Sequence, residues 1–461
     1  MRRFCLATLL AAVHAGTVLA ASPEIKTSFD LRLRSEGLDT PARSAVADPT
    51  YSLNLARFRF GLDAKWPRWT LHGMVQAMGA MDLPANPAFG AGVNYLSAND
   101  GDTDPARIGI AELNAAYANG GFKLTLGRQP YVDGNEIATG VGHLDAIKKR
   151  LLSDRLVGVF EWPNVGRRFD GGVFGYGHGG AHLAGFALRP LDGAFDHEDA
   201  FQEIGGVSIY GLTLTGKYGA WIPGAEVRAF AVQYEDSRAI ARRQAGGDLS
   251  LTTAGASLLA GNDAGHVLLW GALQNGDWGA SDQQAWAYVV NGGRNFASVP
   301  GKPMVHLGWE QSSGDRRPGG DHETFFNLLP TNHKYYGIMD YADFPNLRDA
   351  YAESLWSLGG KVKARVAVHD FALTRRTDAW YSGSGAFEEE SFGYTARLPA
   401  SGRFPAHDLG READLELTWS LPRNLQLGVG GGYFWGGDAA EAFLPVKADG
   451  SWTFVELSWK R

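Results

Sequence analysis

The chain has 461 residues, of which 61 are glycine, 12% are aromatic, 44% are hydrophobic and 20% are charged, with a formal net charge of −7. Glycine at nearly twice its usual share of ~7% argues against helical bundles and coiled coils, and so much apolar material argues against disorder. The acidic balance gives no support to nucleic-acid binding. A mean hydropathy of −0.20, with no later run of about 18 apolar residues, excludes a polytopic helical membrane protein.

Residues 1–20 read as an export signal, with Arg2 and Arg3 ahead of an apolar stretch at 4–13 and a cleavage site at Val18-Leu19-Ala20. The single cysteine, Cys5, lies inside that segment, so residues 21–461 would carry no disulfide. From there the dominant pattern has period 2. Ile25, Thr27, Phe29, Leu31 and Leu33 alternate with Lys26, Ser28, Asp30, Arg32 and Arg34. Ala56, Phe58, Phe60, Leu62, Ala64 and Trp66 alternate with Arg57, Arg59, Asp63 and Lys65. The alternation recurs at 69–76, 111–117, 122–126, 210–218, 305–310, 361–369, 392–398, 413–421, 425–433 and 455–459.

Asn119-Gly120, Asp192-Gly193, Asn291-Gly292 and Asp449-Gly450 read as turns, and 82–107 and 314–321 have the composition of long loops. One short amphipathic helix is expected at 144–155. No linker or change in composition divides residues 21–461. The expectation is an all-β protein, one closed antiparallel transmembrane β-barrel of roughly 16 to 18 strands, with 18 favoured. Closure removes the exposed edges that so large a sheet would otherwise present. Aromatics cluster near expected strand ends, at Trp66, Trp69, Tyr335, Tyr336, Trp419, Tyr433, Phe434 and Trp435, where an outer-membrane barrel carries its interfacial girdles.

Particular residues carry a family likeness. Gly127-Arg128-Gln129, then the stretch from Asn164 through Arg167, Arg168, Phe169 and Asp170 to Gly172, resemble the first half of the alginate-export outer-membrane porin family. Ser313-Gly314-Asp315, Thr324-Phe325-Phe326 and the run from Leu329 through Lys334 to Gly337 are similar to its second half. The resemblance implies a barrel of about 18 strands in the Gram-negative outer membrane that passively exports an anionic polysaccharide such as alginate. The sequence departs from the pattern at its end: such barrels usually finish on an aromatic residue, whereas Trp459 is followed by Lys460 and Arg461.

In a wide barrel the polar face of each strand lines the lumen. On the alternation above, Lys26, Arg32, Arg34, Arg57, Arg59, Lys65, Lys123, Lys217, Lys361, Lys363, Arg365 and Arg397 would face inward. Asp30, Asp63, Glu112, Glu310, Asp414, Glu416 and Glu456 would face the same way, so bases outnumber acids and the lumen is expected to be electropositive. Guanidinium forks match sugar carboxylates. Arg128, Arg167 and Arg168 are expected at a constriction, with Lys334 and His333 as a second candidate, and Asp170 and Asp315 as carboxylates that orient arginines. Expected partners are an anionic polysaccharide or small anions, outer-membrane lipid and a periplasmic export scaffold.

Other motifs fit less well. Gly175 to Gly180 spells a dinucleotide fingerprint but precedes a strand-like segment, and reads as a tight turn. Asp100, Asp102 and Asp104 could hold loop calcium, but Pro105 and Ala111 occupy positions where an EF-hand needs Gly and Glu. No other metal or cofactor is expected, and no catalytic elbow or zinc helix is present. Two alternatives stand beside the polysaccharide channel: a general porin for small anions, and a secreted β-sandwich glycoside hydrolase or lectin using Glu388-Glu389-Glu390, Asp414 and Glu416.

Overall fold

Arg32, Arg34, Arg57 and Arg59 are buried while their strand neighbours Leu33 and Phe58 are exposed. A sheet in water does the reverse; a barrel in lipid requires this inversion. The computed structural model describes residues 22–219, 222, 224–238, 247–317, 319–383 and 394–461. The expected signal segment with Cys5, and the Glu388 to Glu390 run, lie outside the described residues.

The strands are β1 (Glu24–Asp39), β2 (Thr50–Lys65), β3 (Trp69–Met81), β4 (Ala106–Asn119), β5 (Phe122–Gln129), β6 (Phe169–His178), β7 (Ala181–Pro190), β8 (Val207–Lys217), β9 (Glu226–Asp236) and β10 (Leu249–Asn262). They continue as β11 (Gly265–Trp278), β12 (Ser281–Asn295), β13 (Met304–Ser312), β14 (Leu347–Leu358), β15 (Val362–Leu373), β16 (Trp380–Gly383), β17 (Tyr394–Arg397), β18 (Asp408–Ser420), β19 (Leu425–Gly436) and β20 (Gly450–Lys460). Eighteen of them form one antiparallel sheet, each paired with its sequence neighbour, except that β15 pairs directly with β18. β16 and β17 make a separate hairpin in the loop between those two.

The sheet closes where β1 meets β20, with Leu31 opposite Trp459 and Asp30 opposite Lys460. The two residues after Trp459 extend this seam. Phe29 and Arg461 exchange backbone hydrogen bonds of 2.8 and 2.9 Å, and the Lys460 ammonium lies 3.4 Å from the Asp30 carboxylate. Short turns close one end of the barrel. Gly179 and Gly180, at φ 57° and 85°, take left-handed conformations that favour glycine, so the expected tight turn is there. The other end carries the long connections, the arrangement that places short turns in the periplasm and long loops outside.

Outside, Ile108, Leu126, Leu212, Leu273, Leu307, Val368 and Val455 are exposed and make an apolar belt. Trp419, Tyr433 and Trp435 are exposed beside it as expected. The chain is a closed, membrane-spanning β-barrel.

Several local expectations are corrected. Asn291-Gly292 is no turn but lies inside β12, because Asn291 faces inward and is hydrogen-bonded there. The alternation expected at 392–398 includes β17 of the loop hairpin, so Arg397 is no wall residue and instead lies over the rings of Phe89 and Trp380. The expected helix at 144–155 is a short α-helix, Gly142–Ile147, that continues as a π turn, Lys148–Leu152. Tyr335, Tyr336 and Phe434 are not girdle residues; all three are buried inside the barrel.

The lumen is not hollow. Residues 130–168, between β5 and β6, and 324–346, between β13 and β14, fold inward and pack against the wall. Leu144, Leu151, Phe160, Phe325, Leu329, Tyr336 and Phe344 share one apolar cluster with inward strand residues such as Leu53, Ile209, Phe230, Leu251 and Trp270.

Candidate functional site: the loop-filled lumen

The end of the first inward loop, just before β6, is held against β1 to β3 mainly by its backbone. Arg32 donates to the carbonyls of Glu161 and Pro163 at 2.8 and 2.9 Å, and Arg34 to that of Trp162 at 2.8 Å. Gln76 donates to the carbonyl of Val165 at 3.0 Å, and the Asn164 amide donates to the carbonyls of Ala56 and Gly79. Side-chain charge is concentrated at Glu161. Its carboxylate accepts from Arg57 at 2.9 Å, from Arg59 at 2.9 Å and from Arg168 at 2.8 Å. Burial alone would raise the Glu161 carboxyl, but the guanidiniums of Arg168, Arg59 and Arg57 hold it well below the usual carboxylate range. Arg168 also reaches Glu112 of β4 at 2.8 Å, and His72 bridges Glu112 and Asp63. Trp162 is sandwiched between the Arg34 guanidinium at 3.8 Å and the His333 ring at 4.0 Å.

A second set of pairs anchors the loops to the opposite wall. Arg155 and Glu310 form a bidentate pair, Lys148 meets Glu226 at 2.5 Å, and Arg228 holds Asp133 and Glu136. Glu353 of β14 receives Arg150, Arg365 and His306, and His306 continues through Asn291 to His266 and then His143.

The residues expected from sequence fall into three groups. Arg57, Arg59 and Arg168 do converge, on Glu161, and Arg365 faces inward but pairs with Glu353, Asp414 and Glu416. Arg167 and Lys334 are in the lumen as struts between the loops. Arg167 donates to the carbonyls of Gly158, Leu329 and Pro330. Lys334 donates to the Ser153 carbonyl and to Asp154 at 2.7 and 3.1 Å, and burial pulls its ammonium down to about 8 despite Asp154. Lys363 is exposed near the periplasmic end of its strand, whereas Lys361 belongs to the preceding turn and not to β15.

Arg128 and Asp170 are corrections. Arg128 sits opposite Leu113 and two residues beyond Leu126, which are 60% and 51% exposed on the lipid side. Side chains opposite one another across a ladder share a face, so the bidentate Arg128–Asp170 pair at 2.9 Å lies on the outside of the barrel. Among the described residues Asp315 orients no guanidinium through its carboxylate; it accepts the backbone N–H of Arg317. Asp102 accepts the backbone N–H of Asp104, and Asp104 accepts that of Asp82 just after β3; among the described residues no group of three or more His, Cys, Asp and Glu is placed to hold a metal ion.

The expected excess of base on the wall is also corrected: Glu36, Glu226, Asp236, Asp349, Glu353 and Glu412 face inward too and are buried. Sequence reasoning missed Glu161, Trp162 and Arg155. Glu161 stands six residues ahead of a singled-out arginine, yet its partners Arg57 and Arg59 are more than a hundred residues away, and only the fold joins them.

The alginate export family model matches residues 24–454. The chain belongs to the alginate export family. No curated protein matches it. Among solved structures it is similar to OpdK of Pseudomonas aeruginosa, crystallised with vanillate, at a TM-score of 0.57 and 10% identity over 95% of this chain and 98% of that one. OccAB3 and OccAB1 of Acinetobacter baumannii give TM-scores of 0.59 and 0.60 at 11% and 10% identity, over 95% of this chain and 100% and 96% of theirs. At such identities the likeness is one of fold. With the family, it makes this alginate-export member an outer-membrane β-barrel channel through which a solute passes.

Proposed function

We propose that this barrel carries an anionic saccharide, alginate-like in bearing a carboxylate on each sugar, past the arginine-rich sector between β1 and the base of the first inward loop. The observation that carries the reading is the convergence of Arg32, Arg34, Arg57, Arg59 and Arg168 on one short segment, residues 161–168. Guanidinium groups recognise carboxylates two oxygens at a time. Conduction needs such contacts to be several and individually weak.

A second reading, a channel for small organic anions, draws on the loop-filled lumen, since a small solute needs less free width than a polymer. The OpdK structure with vanillate, itself a small carboxylate, is consistent with it. Planar-bilayer recording separates the two. The polysaccharide reading expects anion selectivity and current block by a polyuronate added on the periplasmic side. Anion selectivity with permeation by benzoate-type carboxylates and no polymer block favours the second reading, and cation selectivity defeats both.

A further inference from the structure

We infer that Glu161 is a tethered occupant of a carboxylate-binding site: Arg57, Arg59 and Arg168 form a receptor for a solute carboxylate, and the chain's own glutamate fills it until a passing anion takes its place. The inference rests on the anion-path reading and names the group at which that path begins.

Three observations support it. The guanidiniums are almost wholly inaccessible, Arg168 at 3% side-chain exposure, whereas the Glu161 side chain is 35% exposed, so solvent meets the cluster at Glu161. An anion arriving at this cluster therefore reaches Glu161 before any of its three arginines. Among the described residues the buried Arg57 Nε has no hydrogen-bond partner, so the cluster has a donor that Glu161 does not use. The loop has anchors besides the Glu161 carboxylate, since Arg32, Arg34, Gln76 and Asn164 hold residues 161–165 through backbone groups. The side chain can swing out while its backbone stays.

A tethered competitor acts as a high local concentration of carboxylate and weakens any free competitor accordingly. Removing it should strengthen binding of a carboxylate probe about tenfold or more. The test uses the full-length barrel in planar bilayers with a short oligogalacturonate as blocker. Glu161→Gln and Glu161→Ala are each expected to lower the half-blocking concentration about tenfold and to increase anion preference. Adding Arg57→Gln and Arg59→Gln to the Glu161→Ala barrel should abolish the gain.

Heat-modifiable gel mobility confirms that each variant is a folded barrel, and Glu161→Gln, nearly isosteric, serves if Glu161→Ala does not fold. An unchanged half-blocking concentration in Glu161→Gln overturns the inference while leaving an anion-selective, blockable wild type intact. A gain that survives loss of both arginines overturns it as well. A cation-selective wild type that the oligomer does not block overturns the anion-path reading itself.

Discussion

Arg155 of the first inward loop and Glu310 of β13 form a bidentate ion pair of 2.7 and 3.1 Å with neither side chain more than 1% exposed. The Arg155 guanidinium also lies 4.1 Å from the ring centre of Tyr335 in the second inward loop. One residue thus pins both loops to the wall. Removing one member of a buried pair leaves an uncompensated charge and costs about 3 to 5 kcal/mol. Glu310→Gln should loosen the loops, seen as larger, noisier single-channel conductance and faster proteolysis within 130–168, with the barrel still heat-modifiable. Arg155→Met combined with Glu310→Leu removes both charges and should lose less.

Arg128→Ala should leave ion selectivity unchanged. Its partner Asp170 is on the same outward face, and both are partly exposed. Exposed pairs contribute about 0 to 1 kcal/mol. Reversal potentials in a salt gradient should match the wild type within error, whereas Arg59→Gln, inside the lumen, should reduce anion preference. A shift with Arg128→Ala would place that side chain in the conduction path.

The lipid-facing belt offers a test of the inverted hydropathy. Leu212 is 56% exposed at mid-strand in β8, pointing away from the lumen. An arginine facing lipid near the midplane costs about 2 to 4 kcal/mol. Leu212→Arg should lower the urea midpoint of the barrel in bilayers by a corresponding amount. Thr213→Ser, one residue on and facing inward, should leave it nearly unchanged.

The parts legible in sequence are those where the two faces differ most in polarity. Around 25–33 and 56–66, arginines alternate with Leu and Phe, so β1 and β2 and their registers could be read directly. β9 and β10 escape such a reading because their outward residues include Ala229, Ala231, Ala254 and Ala256 while the inward set mixes Phe230 and Leu251 with Arg228 and Thr253. Asn291-Gly292 spells a turn, and only the inward hydrogen bonds to His266 and His306 show why it stays in a strand. The filling of the lumen was hidden for a related reason. A loop that folds inward to pack Phe325, Phe326 and Phe344 has the same composition as one that packs outside, and the ion pairs that hold it join residues far apart in the chain.

His197 should make the seating of the first inward loop depend on pH. It lies in the connection between β7 and β8, fully buried, with its Nδ1 3.1 Å from the Phe195 carbonyl and its Nε2 3.0 Å from the Asn164 side-chain amide. A neutral ring satisfies both contacts, donating from Nδ1 and accepting at Nε2. A second proton would oppose the Asn164 N–H. Burial pulls the imidazole down to about 4, although the hydrogen bond to the Phe195 carbonyl acts the other way. The folded form therefore binds a proton less readily than the unfolded chain, whose histidines titrate near ~6.5. The contribution of His197 is complete above that value and is lost as pH falls toward 4. Hydrogen exchange at the Asn164 and His197 amides, corrected for intrinsic pH dependence, should be slow at pH ~7.5 and clearly faster at pH ~4.5. In His197→Gln, protection at Asn164 should not change between those two conditions. Equal protection of the wild type at both would show that His197 does not couple the β7–β8 connection to the first inward loop.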